Sequence, residues 1–128
     1  ADFSVTQALV WAAEEEGCRF HTGVVQSKDS FYGQHSPERM PIARQLLDRW
    51  EAYRRLGVLC SEMESATQFV VSDSLGARCG GIFHVVWNQE RKAAGMDDLG
   101  VRDEDTDLAV RMAVEALKIL IEKDRELG

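Results

Sequence analysis

The chain alternates between helical and strand-like patterns from end to end, and its sharpest junction constrains the fold most. A short apolar run, Val58-Leu59-Cys60, leads directly into Ser61-Glu62-Met63-Glu64-Ser65-Ala66 and then into a helical pattern that runs to Leu75. This predicts a strand whose end delivers two carboxylates into a strand-to-helix turn. In α/β sheets, ligands bind outside the carboxyl ends of the strands. Glu62 and Glu64 are two residues apart, so an extended backbone points both one way and Met63 the other. Acidic residues also suit the positive end of a helix. Spacing alone is compatible with either role.

The rest of the chain fits around that junction. Ser4 and Gln7 form a capping-box pattern ahead of a helix with Val5, Leu9, Ala12 and Ala13 on one face, ended by Gly17. Phe20–Gln26 is rich in β-branched residues and predicts a strand, with His21 in a structural role. Residues 27–40 read as one long irregular segment in which aromatic, amide and cationic side chains gather, as binding residues do in loops. Pro41 suits the first turn of a helix carrying Ile42, Leu46, Trp50 and Tyr53 as core residues, with Gly57 as its stop. The continuous apolar run Gly80–Trp87 predicts a strand buried on both faces. A polar connection, Asn88–Glu104, follows. Asp103, Asp105 and Asp107 then lead into a helix over Thr106–Lys123 with Ala109, Met112, Ala113, Ala116 and Leu120 on its inner face. The alternation implies one α/β domain with a parallel or mixed sheet and helices packed on it.

A net charge of -7 with a pI near 4.9 argues against nucleic acid or an acidic membrane surface as partner. No apolar run is long enough to cross a bilayer and no signal-peptide pattern is present. Cys18, Cys60 and Cys79 are odd in number and lack ligand spacing, as expected of reduced core cysteines in a cytoplasmic protein. Residue 1 is Ala, which fits a processed chain or a piece of a longer one. Phosphate-cradling glycine loops, paired C-x-x-C, H-E-x-x-H and a nucleophile elbow are all missing, so metal, dinucleotide and serine-hydrolase chemistry are disfavoured and no cofactor is expected.

Three stretches together resemble the nucleoside phosphorylase family, and within it the bacterial uridine phosphorylases. Ser61-Glu62-Met63-Glu64-Ser65-Ala66 resembles the family's E-M-E-[SA]-A ribose motif. Ser27-Lys28-Asp29-Ser30-Phe31-Tyr32-Gly33-Gln34 is similar to the uracil loop of the uridine-cleaving members. Val85-Val86-Trp87-Asn88 stands where the family's base-pocket strand ends.

The resemblance covers nearly the whole chain. It implies a three-layer α/β sandwich, a mixed sheet flanked by helices, of which residues 1–128 are the C-terminal half of a single domain. It further implies phosphorolysis of uridine to uracil and ribose 1-phosphate, with inorganic phosphate as co-substrate, no metal and no covalent enzyme intermediate.

In that reading Glu64 takes the ribose 2'- and 3'-hydroxyls, Met63 packs on the sugar and Glu62 is a neighbouring pocket residue. Phe31 faces the planar base, Gln34 meets the uracil edge and Val86 lines its pocket. Arg39 is the candidate for the arginine that the family places after the glutamine, here at a longer spacing because His35-Ser36-Pro37-Glu38 intervene. Purine-specific relatives place an Asp after the last pocket strand, where this chain has Asn88-Gln89.

The family's phosphate-binding residues lie in an N-terminal half that is missing here, so the expected partners are that half and further copies in a cytoplasmic dimer or hexamer. The alternatives are a purine nucleoside phosphorylase, a nucleosidase of the same fold, or a non-catalytic nucleoside-binding module.

Overall fold

A computed structural model describes residues 1–96 and 103–128. It is an α/β structure of mixed helices with a small parallel sheet. The elements in order are α1 (Phe3–Glu15), β1 (Val25–Ser27), α2 (Phe31–His35), a 3-10 turn (Pro37–Arg39), α3 (Ala43–Arg55), β2 (Cys60–Glu62), α4 (Ser65–Ser74), α5 (Gln89–Ala93) and α6 (Asp103–Leu127). They divide into two compact units, one of residues 1–20 with 75–128, the other His21–Ser74.

The first unit is built on α1 against α6. Ala8, Ala12 and Ala13 of α1 and Met112, Ala116 and Leu120 of α6 are buried together, with Val5, Leu9 and Ile82 packed at the margin. Small side chains on α1 let the two helices approach closely. Asp2, not Ser4, caps α1: its carboxylate accepts from Val5 N at 3.0 Å and from the Ser4 hydroxyl at 2.5 Å. A carboxylate two residues earlier already takes the free amide, so Ser4 falls within the first turn. Asp2 N donates to Cys79 O at 2.7 Å, and Arg78 pairs with Asp124 of α6. These contacts lay the stretch after α4 along both helices.

That stretch departs from expectation. Gly80–Trp87 forms no strand among the described residues. Phe83, Val85 and Val86 are 37%, 58% and 58% exposed. A doubly buried strand needs ladder partners, and the two described strands pair with each other. The expected connection after Asn88 begins instead with α5, capped by the Asn88 side chain on Arg91 N. Residues 97–102 of that connection lie outside the described residues. Asp103, Asp105 and Asp107 fall within α6 rather than before it.

In the second unit β1 and β2 are parallel, in the register Val25↔Cys60, Gln26↔Ser61 and Ser27↔Glu62. Leu59 N to Val24 O, 2.9 Å, and Lys28 N to Glu62 O, 2.8 Å, extend the ladder at both ends. β1 is shorter than expected and ends at Ser27 instead of Gln26, and β2 keeps the expected length but is shifted two residues on, ending at Glu62 instead of Cys60, because a ladder exists only where both backbones face each other. The segment expected to be irregular holds α2, whose N-cap is Ser30, and the 3-10 turn with Pro37 at its start. Pro41 precedes α3, whose first residue is Ala43. No residue of α3 is buried, and Ile42 is half exposed, so the expected core role of its apolar stripe is not met within this unit. Cys60 and Cys79 are half-buried free thiols, not core residues.

Candidate functional site

The parallel register sets the end of β1 level with the end of β2, so Ser27 and Glu62 are neighbours at the carboxyl edge of the pair. Chain direction then brings Lys28 and α2 beside one end and the Met63–Glu64 bend beside the other.

Glu62 does not extend outward with Glu64 as the two-residue spacing suggested. The strand stops at Glu62, and its carboxylate turns onto the start of α4. Oε2 accepts from Glu64 N and Ser65 N, each at 2.7 Å, and Oε1 accepts from the Ser65 hydroxyl at 2.6 Å. Burial pushes this carboxyl up. Hydrogen bonds from the Ser65 hydroxyl, the two amides and the Ser27 hydroxyl outweigh that and hold it at about 2. Glu62 is therefore an ionised cap of α4 at neutral pH.

Glu64 is exposed, its Oε2 3.2 Å from Met63 N. Met63 is 39% exposed beside it. The bend thus offers one carboxylate and one thioether to the outside, while the second carboxylate holds the bend in place.

On the β1 side, Phe31 and Gln34 are one helical turn apart on α2. Phe31 is 46% exposed, so a ring face is open to a planar group. Tyr32 meets it edge-on with centroids 5.5 Å apart, and His35 lies 4.2 Å away. The Lys28 ammonium stands 5.9 Å from the Phe31 ring centre. Gln34 Nε2 donates to Ser61 Oγ at 2.9 Å, and Lys28 Nζ donates to the same oxygen at 3.3 Å. Burial and the Glu62 charge push the nearby Cys60 thiol up, with Lys28 partly offsetting them.

The structure brings together Phe31 with Gln34, and Met63 and Glu64 with Glu62. Arg39 is exposed at the end of the 3-10 turn. Val86 belongs to the other unit and is exposed. Sequence reasoning did not single out Ser27, Lys28 or Ser61. Ser61 directly precedes the acidic pair, and only the ladder register shows that it faces α2. Among the described residues no cluster of three His, Cys, Asp or Glu side chains is placed to hold a metal ion.

This arrangement suits a sugar diol and a flat hydrogen-bonding ring. A carboxylate can accept from two vicinal hydroxyls, an aromatic face stacks on a ring and a primary amide reads a donor–acceptor edge.

Residues 1–123 match the model of the Phosphorylase superfamily. The chain is 48% identical over 123 residues to uridine phosphorylase of Treponema pallidum, covering 96% of this chain and 47% of that protein. It is 34% identical to uridine phosphorylase of Escherichia coli, covering 94% of this chain and 48% of the relative. A DeoD-type purine nucleoside phosphorylase of Dichelobacter nodosus is 38% identical over a shorter stretch, 66% of this chain and 31% of that protein. The chain spans about half the length of the uridine phosphorylases it matches. With the strand-to-helix turn and its carboxylates described, and with a family match over almost all its residues, the chain belongs to the phosphorylase superfamily.

Proposed function

We propose that this chain is the ribose- and base-binding half of a uridine phosphorylase, which cleaves uridine with inorganic phosphate to uracil and ribose 1-phosphate. The observation that carries this reading is the level ending of β1 and β2, which sets the acidic turn and the aromatic-amide helix at one sheet edge. Glu64 accepts from the ribose 2'- and 3'-hydroxyls and Met63 packs on the sugar. Phe31 stacks on uracil and Gln34 bonds its edge, with Arg39 as a further contact to the base. A phosphate oxygen bonds to C1' as the bond from C1' to N1 breaks. The electron pair leaves with the uracil, which takes up a proton. Holding the sugar by two hydroxyls fixes C1' in line with phosphate, and hydrogen bonds to the departing base stabilise its charge. No metal or cofactor enters this scheme.

The phosphate site belongs to the other half of the protein in this proposal. That half also supplies sheet neighbours for Gly80–Trp87, completing a three-layer sandwich of which residues 1–128 are the second part. The assembled enzyme is a cytoplasmic dimer or hexamer.

A pyrimidine base is favoured over a purine because Asn88 stands where purine-specific relatives have an acid, and its side chain caps α5. A neutral amide cannot protonate a purine ring as a carboxylic acid can. The test is turnover of uridine and inosine by the full-length protein with and without phosphate. Phosphate-dependent uracil release with little hypoxanthine is the expected result. Equal use of both nucleosides would sink the base assignment, and phosphate-independent cleavage would make the protein a nucleosidase.

A further inference from the structure

We propose that Ser27 is a positioning residue whose hydroxyl fastens the turn at residues 62–65 to β1 and so holds the Glu64 carboxylate in place for the sugar. This rests on the uridine reading above.

Ser27 is the last residue of β1 and stands opposite Glu62, the last residue of β2. Directly paired residues of a ladder send their side chains to one face, so the hydroxyl and the carboxylate share a side. Ser27 Oγ accepts from Ala66 N at 3.3 Å, and its hydroxyl hydrogen-bonds the Glu62 carboxylate. The partners dictate both directions. A backbone amide can only donate and an ionised carboxylate can only accept, so the single hydroxyl proton goes to Glu62 and a lone pair takes the amide.

The other bonds to the Glu62 carboxylate come from Glu64 N, Ser65 N and the Ser65 hydroxyl, all within the turn. Those three fix the shape of the turn. The Ser27 bonds add a side-chain tie to the strand that runs on into Lys28 and α2. A short path of hydrogen bonds thus leads from the end of β1, through Glu62, to the backbone of Glu64. It sets the spacing between the carboxylate that takes the diol and the helix that carries Phe31. A looser turn still binds the sugar, but it holds C1' in line with phosphate for a smaller share of the time. The loss therefore falls on kcat more than on KM.

The experiment uses the full-length protein with uridine and 2'-deoxyuridine as substrates. Ser27→Ala should lower kcat for uridine about fivefold with KM within about twofold of wild type, the scale of one hydrogen bond. For 2'-deoxyuridine, which gives Glu64 one hydroxyl fewer to hold, the loss should be about twofold, so the preference for uridine falls. That preference is independent of the fraction of enzyme that is folded. Ser27→Thr keeps the donor and the acceptor on a side chain suited to a strand, and should stay within about twofold of wild type on both substrates. In a double-mutant cycle, Ser27→Ala added to Glu64→Gln should bring no further loss, because Ser27 acts through Glu64. Should the alanine variant not fold, Ser27→Cys, a weaker donor of similar shape, replaces it in every comparison.

An unchanged preference, losses that add in the cycle, or a Ser27→Thr enzyme as slow as Ser27→Ala would overturn the role of Ser27 and leave the uridine assignment standing. A wild-type protein with no uridine turnover would overturn the proposed function, and this role with it.

Discussion

Glu62 and Glu64 are two residues apart and have separate tasks. Glu62 is held by Glu64 N, Ser65 N and the Ser65 hydroxyl, whereas Glu64 is exposed. Glu62→Gln should destabilise the fold by about 1 kcal/mol, the usual worth of a helix cap. The effect should depend on pH. The carboxyl is held at about 2 in the fold against an ordinary 4.5, so its stabilisation is complete above about 4.5 and lost as pH falls towards 2. Melting temperatures of wild type and variant should therefore converge across that window; a constant gap would deny the ionised cap.

Glu64→Gln should behave in the opposite way in the full-length enzyme. Stability should hardly change, while kcat/KM for uridine should fall by about 2–4 kcal/mol of transition-state binding, as for a charged group in a closed site. The loss should be smaller with 2'-deoxyuridine, which lacks one of the hydroxyls. A stable and fully active Glu64→Gln enzyme would remove the ribose assignment.

At the scale of elements, α1, α3, α4 and α6 are legible in the sequence because each has a long apolar stripe or clear stops. Gly17, Gly57 and Gly76 all have the positive φ that ends a helix. The helix after Glu64 starts one residue before the expected Ala66. The strands were less legible. Val58-Leu59 reads as a strand by composition, but pairing is decided by what lies opposite, and the ladder runs from Cys60 to Glu62. Gly80–Trp87 has the composition of a buried strand without a described partner. The aromatic-amide helix α2 is not legible in the sequence, because its five residues are too few to show a period. Of the candidate site, the identities of Phe31, Gln34, Met63 and Glu64 were legible. The Ser61 contact was not, since it depends on register.

Packing of the stretch after α4 carries its own prediction. A Cβ on Gly80 would stand 2.5 Å from Val5 Cγ1 and 3.2 Å from Val5 Cβ. Valine is stiff at χ1 and cannot swing aside freely. Gly80→Ala should cost about 1–3 kcal/mol, the range for overpacking. A denaturant midpoint equal to that of wild type would mean that α1 yields there.

For the whole molecule, the chain's half-length match to its relatives bears directly on activity. The segment of residues 1–128 alone should release no uracil from uridine and phosphate, since the phosphate site is assigned to the other half. Robust phosphate-dependent turnover by the purified segment would refute that division. The two units also differ in how the chain builds them. His21–Ser74 is contiguous, whereas α1 finds its buried partners Met112, Ala116 and Leu120 only near the far end. On a ribosome the contiguous unit is complete long before α6 emerges, and closing the longer loop is entropically dearer. Amides of β2 and α4 should therefore gain protection before those of α1 in pulse-labelled refolding, and simultaneous protection would contradict this order. Within this segment α1 is synthesised well before α6, so its alanine face waits for the partner that buries it.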